Sequence, residues 1–540
     1  MKPFLAPVDD ILFSLDHIAG AARLPDWDTH FGGEIARHFA AFAEGEIAPL
    51  DEPGDRQGCV LNDGRVAMPD GFGAVYQAYC AQGWPGLTAP EQFGGQGMGA
   101  VMLAVTSEIF SGACHSLQMV TGLVPGAIRT VMRFGSDAQK AALIPALASG
   151  ELLATMCLTE PGAGSDLSRI RCRAVQDGDA WRITGEKIFI SGGDQDMSDG
   201  ILHLVLARTS DDALRGLSLF LCRDTVNGAR NPVTVTRIEE KMGLHASPTC
   251  QLVFDGAVAE LIGAPGEGLK GMFTMMNHAR LDVALQGVAH AARAHDVAAS
   301  YAAERVQGRG ADGTPVALDQ HADVARMLDE IDSLALVGRA MTHLALVTME
   351  AGDNPDLVEF LTPVAKVFCT EAGMRAADLG MQVLGGYGYL GEYRLEQTYR
   401  DARITAIYEG ANGIHARALA ERLLRVGNGR TADAFEAFLT AQVEESSREM
   451  PDEKRGEALS ASVAVWRQAR AIVVAAATPS ALADDFMQLT AAVLGQAIWA
   501  RFVAAAKHNS DPARITRLAK HQQRLLLVRA KARFELIAGA

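Results

Sequence analysis

Thr159-Glu160-Pro161-Gly162-Ala163-Gly164-Ser165-Asp166 is the stretch on which the reading of this chain turns. It follows a short apolar run, Met156-Cys157-Leu158, at the end of the first predicted strand. Two glycines one residue apart let a backbone come close to a ligand, and Ser165 and Asp166 can cap the turn or bond what it holds. On physics alone, a structural turn and a ligand loop fit the octet equally well. From Leu152 to about Gly263 the texture around it is that of strands. Ile201–Ala207, Leu217–Cys222 and Gln251–Phe254 are short apolar runs between Asp/Gly clusters, and Trp181-Arg182-Ile183-Thr184 alternates with period two. A small antiparallel β-barrel or sandwich is the expected form.

Helical patterns flank this middle region. Ala74–Gln82, Val101–Phe110 and Ala138–Ala148 read as helices, and Gly135-Ser136-Asp137 as a helix stop followed by an N-cap. The helical period returns after Gly266-Glu267-Gly268 and persists to about Leu424. Gly385, Gly386 and Gly388 interrupt it, and then Glu409-Gly410. From Asn428 onward the chain is again helical and alanine-rich. The expectation is an α+β chain of four parts: an N-terminal helical domain (1–153), a middle β-domain (154–265), a helical bundle (266–425) and an additional helical domain (426–540).

Composition sets outer limits. The 540 residues carry 65 acidic against 49 Lys and Arg side chains, a formal charge of −16, with 49% apolar residues. That acidity argues against general coating of nucleic acid, which needs clustered cations. No uninterrupted apolar run reaches the ~18–20 residues of a membrane span. The longest, Leu489–Ala505, is broken by Gln496 and Arg501. Asp9, Asp10 and Asp16 follow Lys2 too soon for a signal peptide. The eight cysteines form no C-x-x-C pair and read as reduced, mostly buried thiols of a cytoplasmic protein. The histidines show no metal-ligand spacing, so no metal is expected, and His278 and His415 read as packing residues. Met272, Met275 and Met276 read as core or as lining of an apolar channel. The segment Arg501–Arg533 is basic, with Asp511 its one acid, and reads as a solvated face or one pairing with acids such as Glu444 and Glu445.

Further stretches follow the octet in order: Glu186-Lys187-Ile188-Phe189-Ile190-Ser191-Gly192-Gly193, Asn277-His278-Ala279-Arg280, Arg305-Val306-Gln307-Gly308-Arg309, Gln382-Val383-Leu384-Gly385-Gly386-Tyr387-Gly388-Tyr389 and Ile407-Tyr408-Glu409-Gly410-Ala411-Asn412-Gly413-Ile414. Together, over roughly residues 60 to 425, they resemble the motifs of the acyl-CoA dehydrogenase family. The resemblance implies FAD as cofactor. Its ring would be held by Met156, Leu158, Thr159, Phe189 and Ser191; Phe189 stands where the family usually has Trp, and Ser191 where it has Thr. Arg305, Gln382, Gly385 and Gly386 would reach the FAD of a neighbouring subunit, which implies at least a homodimer. Ser165, Asn277, Arg280, Tyr408 and Gly410 would contact the acyl-CoA. Asn277 departs from a common Asp, and Ala411 from the usual Thr.

The resemblance makes Glu409 the catalytic base. Dehydrogenation of an unactivated Cα–Cβ bond needs a carboxylate for the α-proton and an oxidant for the β-hydride, and no side chain accepts a hydride. Burial would raise the pKa of Glu409 toward the working range. Its backbone N–H, with a flavin ribityl hydroxyl, would hold the thioester oxygen. Ala279, where some members carry the base, cannot serve. Ala6-Pro7-Val8-Asp9-Asp10-Ile11-Leu12-Phe13 and the long tail resemble a larger subgroup whose members include enzymes oxidising 3-(methylthio)propanoyl-CoA in dimethylsulfoniopropionate breakdown. That thioester is the leading substrate expectation, with a short- or medium-chain fatty acyl-CoA as the alternative. Electron-transfer flavoprotein is the implied acceptor, dioxygen the acceptor of an oxidase. No membrane or nucleic-acid partner is expected, although a DNA-binding alkylation-response branch of the family also carries a basic C-terminal domain.

Overall fold

In the computed structural model, which describes residues 3–449 and 453–540, the octet leaves the end of strand β1 (Leu152–Cys157). Six more strands join its sheet: β2 (Arg173–Asp177), β3 (Ala180–Ser191), β4 (Gly200–Arg208), β5 (Leu217–Arg223), β6 (Val233–Ile238) and β7 (Thr249–Ile262). β7, β3, β2 and β4 follow one another, and β5 bonds both β4 and β7, so the sheet closes on itself as a barrel. Its long pairings are antiparallel except one: β1 runs parallel to β4, Leu152 opposite Gly200 through Cys157 opposite Val205. Both strands of that pair are near-continuous apolar runs, as strands covered on two faces are. Phe220, Phe254, Ile183 and Val205 fill the interior. The alternation read at Trp181–Thr184 is real: Ile183 is buried, and Arg182 and Thr184 are exposed.

The chain divides into two units, and this barrel belongs to the one made of residues 42–103 and 113–279. Helices Phe72–Ala81, Val124–Phe134 and Asp137–Ser149 complete it. Ser136 caps the last of these in a full capping box with Gln139. The N-terminal stretch is not wholly helical. Val60–Asn62 and Arg65–Ala67 pair as a hairpin whose two-residue turn, Asp63-Gly64, has positive φ at both positions. Asp-Gly is the chemistry such a turn requires. Six of the eight cysteines are buried, and Cys59 and Cys80 are half-buried.

The other unit comprises residues 1–41, 104–112 and 280–540. Helix Gly268–Glu304 enters it at Arg280 and packs with Ala322–Ala351 and Pro355–Leu384. Three glycines set their spacing. A Cβ on Gly287 would stand 2.3 Å from the Cys369 carbonyl oxygen, one on Gly373 2.6 Å from that of Gly287, and one on Gly338 3.0 Å from Val288. A second hairpin, Val306–Arg309 with Pro315–Ala317, interrupts the stretch read as helical.

Helices Arg430–Glu449, Glu453–Ala475, Ala483–Ala505 and Pro512–Ala538 form the added C-terminal part. Its core is continuous with the bundle: Phe360 stacks on Phe435 at 4.5 Å, and Trp466 meets both. The basic segment is partly spent inside the unit. Arg514 binds Asp10 and Asp332, Arg517 binds Asp329, and Arg533 binds Asp485, so aspartates supply these ion pairs, while Glu445 acts electrostatically on Arg501. Arg501 donates to Gln442 and to the Ile18 carbonyl.

Among the described residues, three helices are long and apolar enough, by length and composition, to cross a membrane: Ala100–Thr121, Ala322–Ala351 and the stretch Pro479–His508. Their most apolar windows are 89%, 94% and 83% buried inside the protein, so their apolar character is accounted for by core packing.

Candidate active site

The chain enters the Glu409 turn from a short helical turn, Ile404–Ala406, and leaves it in helix Asn412–Arg417. Glu409 has φ +52° and Gly410 φ +90°. A side chain in the left-handed region costs about 1–2 kcal/mol, so the turn must be held from outside. Two buried donors do so. Lys366 Nζ donates to the Gly410 carbonyl at 2.9 Å, and His415 Nε2 donates to the Glu409 carbonyl at 3.0 Å. A carbonyl only accepts, so Nε2 carries the imidazole proton. A Cβ at residue 410 would lie 2.9 Å from that same nitrogen, which leaves room for glycine alone.

Glu409 is half-buried as a residue, but its Oε2 is fully enclosed and has no hydrogen-bond partner among the described residues. Burial raises its pKa to about 7, against the pull of the Arg280 and Lys366 cations and with a push from Asp282. Burial likewise lowers Lys366 to about 7, against Glu409. It takes His415 down to about 3, helped by the same two cations, so this imidazole is neutral at pH 7. Tyr408 donates to Gln286 on helix Gly268–Glu304, and Gln286 in turn donates to Asp282. The arrangement is a carboxylate poised between its two protonation states at neutral pH, with one oxygen uncommitted. That is what a general base requires.

Of the residues expected here, Glu409, Gly410 and Arg280 come together: the Arg280 guanidinium acts electrostatically on Glu409. Tyr408 is adjacent, and the Asn277 side chain lies outside the described residues. Lys366, His415 and Asn412 were not singled out as site residues from sequence. Lys366 was legible in principle, as a lone charge in the apolar run Val364-Ala365-Lys366-Val367. His415 is buried, as a packing residue should be, and also holds the Glu409 carbonyl.

In the barrel unit, the octet is stitched to β3. Lys187 Nζ donates to the Leu158 carbonyl at 3.0 Å and to the Glu160 carboxylate at 2.8 Å, and Ile188 N–H donates to the Thr159 carbonyl at 2.9 Å. Glu160 also accepts the N–H groups of Arg171 and Cys172, while its own backbone exchanges two bonds with Ala163. Both side chains of the pair are buried. Neither was singled out from sequence. On the same strand Phe189, at φ +59°, is 60% exposed and Ser191 is half-buried; Thr159, in the octet, is half-buried as well. An exposed aromatic face and two hydroxyls suit a planar ring edged with heteroatoms. Met156 and Leu158 are half-buried, and Ser165 is exposed on the turn.

The remaining predicted residues form an exposed group in the helical unit. Arg305 lies over the Tyr387 ring at 5.8 Å, which brings it to the glycine-rich turn. Gln382, Gly385 and Gly386 are exposed, and a Cβ at either glycine would meet nothing within 4 Å. Gly388 is different: a Cβ there would stand 2.2 Å from the Met381 carbonyl oxygen.

Family models match most of this chain: "Acyl-CoA dehydrogenase, N-terminal domain" over residues 33–151, "middle domain" over 155–257 and "C-terminal domain" over 266–424. A 3-methylmercaptopropionyl-CoA dehydrogenase of Ruegeria pomeroyi is 39% identical over 472 residues, 82% of this chain and 80% of that protein. A butyryl-CoA dehydrogenase of Syntrophomonas wolfei is 31% identical, over 71% of this chain and 68% of its own length. The crystal structure of an acyl-CoA dehydrogenase from Bacillus anthracis, complexed with FAD, aligns with 97% of this chain and 91% of its own at a TM-score of 0.78 and 21% identity. Its likeness in fold extends over the added C-terminal helices.

Proposed function

The chain belongs to the acyl-CoA dehydrogenase family, and from that premise we propose that it dehydrogenates 3-(methylthio)propanoyl-CoA to 3-(methylthio)acryloyl-CoA, with Glu409 as base. It is a flavin oxidoreductase acting on a CH–CH bond, with FAD as cofactor. The observation that carries the mechanism is the enclosed Glu409 Oε2, without a hydrogen-bond partner among the described residues, under the influence of Arg280 and Lys366. Bound FAD supplies the acceptor for the β-hydride. Glu409 removes the α-proton, and Arg280 and Lys366 favour its ionised form before the transfer. Lys366 and His415 keep the strained turn from relaxing as the carboxylate changes charge. Thr159, Ser191 and Phe189, with Met156 and Leu158, would hold the flavin ring, and Ser165, Asn277, Arg280, Tyr408 and Gly410 would contact the thioester.

The substrate is supported by the Ruegeria pomeroyi relative; a short- or medium-chain fatty acyl-CoA is the alternative. The exposed group Arg305, Gln382, Gly385 and Gly386 fits a role toward the FAD of a second copy, in at least a homodimer. Electron-transfer flavoprotein is the proposed acceptor and the cytoplasm the proposed compartment, with neither membrane nor nucleic acid as partner.

Anaerobic addition of 3-(methylthio)propanoyl-, butanoyl-, octanoyl- and palmitoyl-CoA to the purified flavoprotein tests this reading. Fastest bleaching of the flavin by the methylthio thioester is expected. Fastest bleaching by another member replaces the substrate, steady peroxide formation in air replaces the acceptor, and no bleaching by any of them rejects the reading.

A further inference from the structure

The added C-terminal part touches the catalytic turn through a chain of polar contacts, all within one unit. On helix Ala483–Ala505, Gln488 Nε2 donates to Glu371 Oε2 at 2.9 Å. Glu371 Oε1 accepts from Asn412 Nδ2 at 3.3 Å. Asn412 Oδ1 accepts from Lys366 Nζ at 2.9 Å, and the same ammonium holds the Gly410 carbonyl. Lys366 is fully buried, on a helix that otherwise presents Val364, Ala365 and Val367 to the core. A buried ammonium bonded to two neutral acceptors, rather than to a carboxylate, is costly to keep charged, so its protonation depends on the carboxylates that ionise beside it.

We propose that Lys366 is a positioning residue for the base, and that the C-terminal helices reach it through Gln488, Glu371 and Asn412 and so help set when Glu409 is ionised. The proposal rests on reading Glu409 as the base. Glu409 is faced by Lys366 from helix Pro355–Leu384, by Arg280 and Asp282 from helix Gly268–Glu304, and by neutral His415 from its own helix. Lys366 is faced by Glu409, Glu371 and Arg280. Glu371 is faced in turn by Asp484 and Arg533 of the C-terminal part.

The signs run one way. Burial raises the pKa of Glu371, and the bonds from Gln488 and Asn412 oppose that rise. An ionised Glu371 supports the Lys366 charge, and that charge favours ionised Glu409. Losing Gln488, Glu371 or Lys366 therefore moves the ionisation of Glu409 to higher pH.

The test is the rate of anaerobic flavin reduction by a saturating acyl-CoA, measured from about pH 6 to about pH 9, on parent, Lys366→Met, Lys366→Arg, Glu371→Gln and Gln488→Leu holoenzymes. The acidic midpoint of Lys366→Met is expected to rise by roughly one unit. Those of Gln488→Leu and Glu371→Gln rise by less, and Lys366→Arg, which keeps the cation, restores the parent midpoint. A purely structural role changes flavin content or maximum rate and leaves the midpoint where it was, which overturns the proposal. Should Lys366→Met not fold, Gln488→Leu and Glu371→Gln decide alone, an upward midpoint supporting the proposal and an unmoved one overturning it. Glu409→Gln in the same series separates the two claims: if it reduces flavin at the parent rate, the base assignment itself fails.

Discussion

Glu160 with Lys187 in the barrel unit, and Glu409 with Lys366 in the helical unit, are the same two residue types in two settings. In the first the ammonium bonds the carboxylate directly at 2.8 Å, and the carboxylate also takes two backbone N–H groups. In the second the ammonium bonds a carbonyl and an amide, and one enclosed carboxylate oxygen has no partner among the described residues. The first pair is satisfied and braces a loop. The second is held apart, its charge balance unsettled near neutral pH. Hydrogen-bond satisfaction, not residue type, separates a structural pair from a reactive one.

Mutating each pair should therefore break different things. The largest effect falls on Glu409→Gln, which keeps FAD and loses roughly 10²–10⁴-fold in the rate of anaerobic flavin reduction. Lys187→Met should instead act on stability, because it strands a buried carboxylate; a loss of about 3–5 kcal/mol in urea unfolding is expected, with FAD content falling alongside. Gly410→Ala sits between the two. Its backbone strain costs at least about 1 kcal/mol, and its new Cβ displaces His415, so both unfolding midpoint and flavin-reduction rate should drop.

The smallest effect concerns stability and pH. The folded pKa of Glu409, about 7, lies above the ordinary glutamate value of 4.5. Its ionisation penalty is absent below the lower value, grows as pH rises between the two, and is complete above the higher one. Glu409→Gln removes that penalty, so thermal unfolding should show the variant more stable than the parent above about pH 7, by about 1 kcal/mol at this half-buried site, and level with it near pH 4.5.

Much of this was legible in the sequence because it is local. The octet, the alternating β3 segment and the Ser136 cap each announce themselves within a few residues. So does Glu409-Gly410, once its neighbours are read together. What escaped depends on contacts between distant positions. Lys366 and Gly410 are 44 residues apart, and Gln488 and Glu371 are 117 apart, so no window on the chain joins them. The parallel pairing of β1 with β4 escaped for a related reason, since an all-apolar run carries no alternation from which to read its neighbour. The hairpin at Asp63-Gly64 was readable and was passed over inside a helical stretch.

That an enclosed Glu409, half ionised near neutrality, takes the α-proton is the proposal on which the mechanism stands. It is tested most directly by the pH dependence of anaerobic flavin reduction in the parent holoenzyme beside Glu409→Gln, with the fastest acyl-CoA of the panel. The parent rate is expected to climb with pH through a midpoint near 7, and the Glu409→Gln rate to stay low and flat throughout. A Glu409→Gln variant that reduces its flavin at the parent rate, with the same rise, would contradict it.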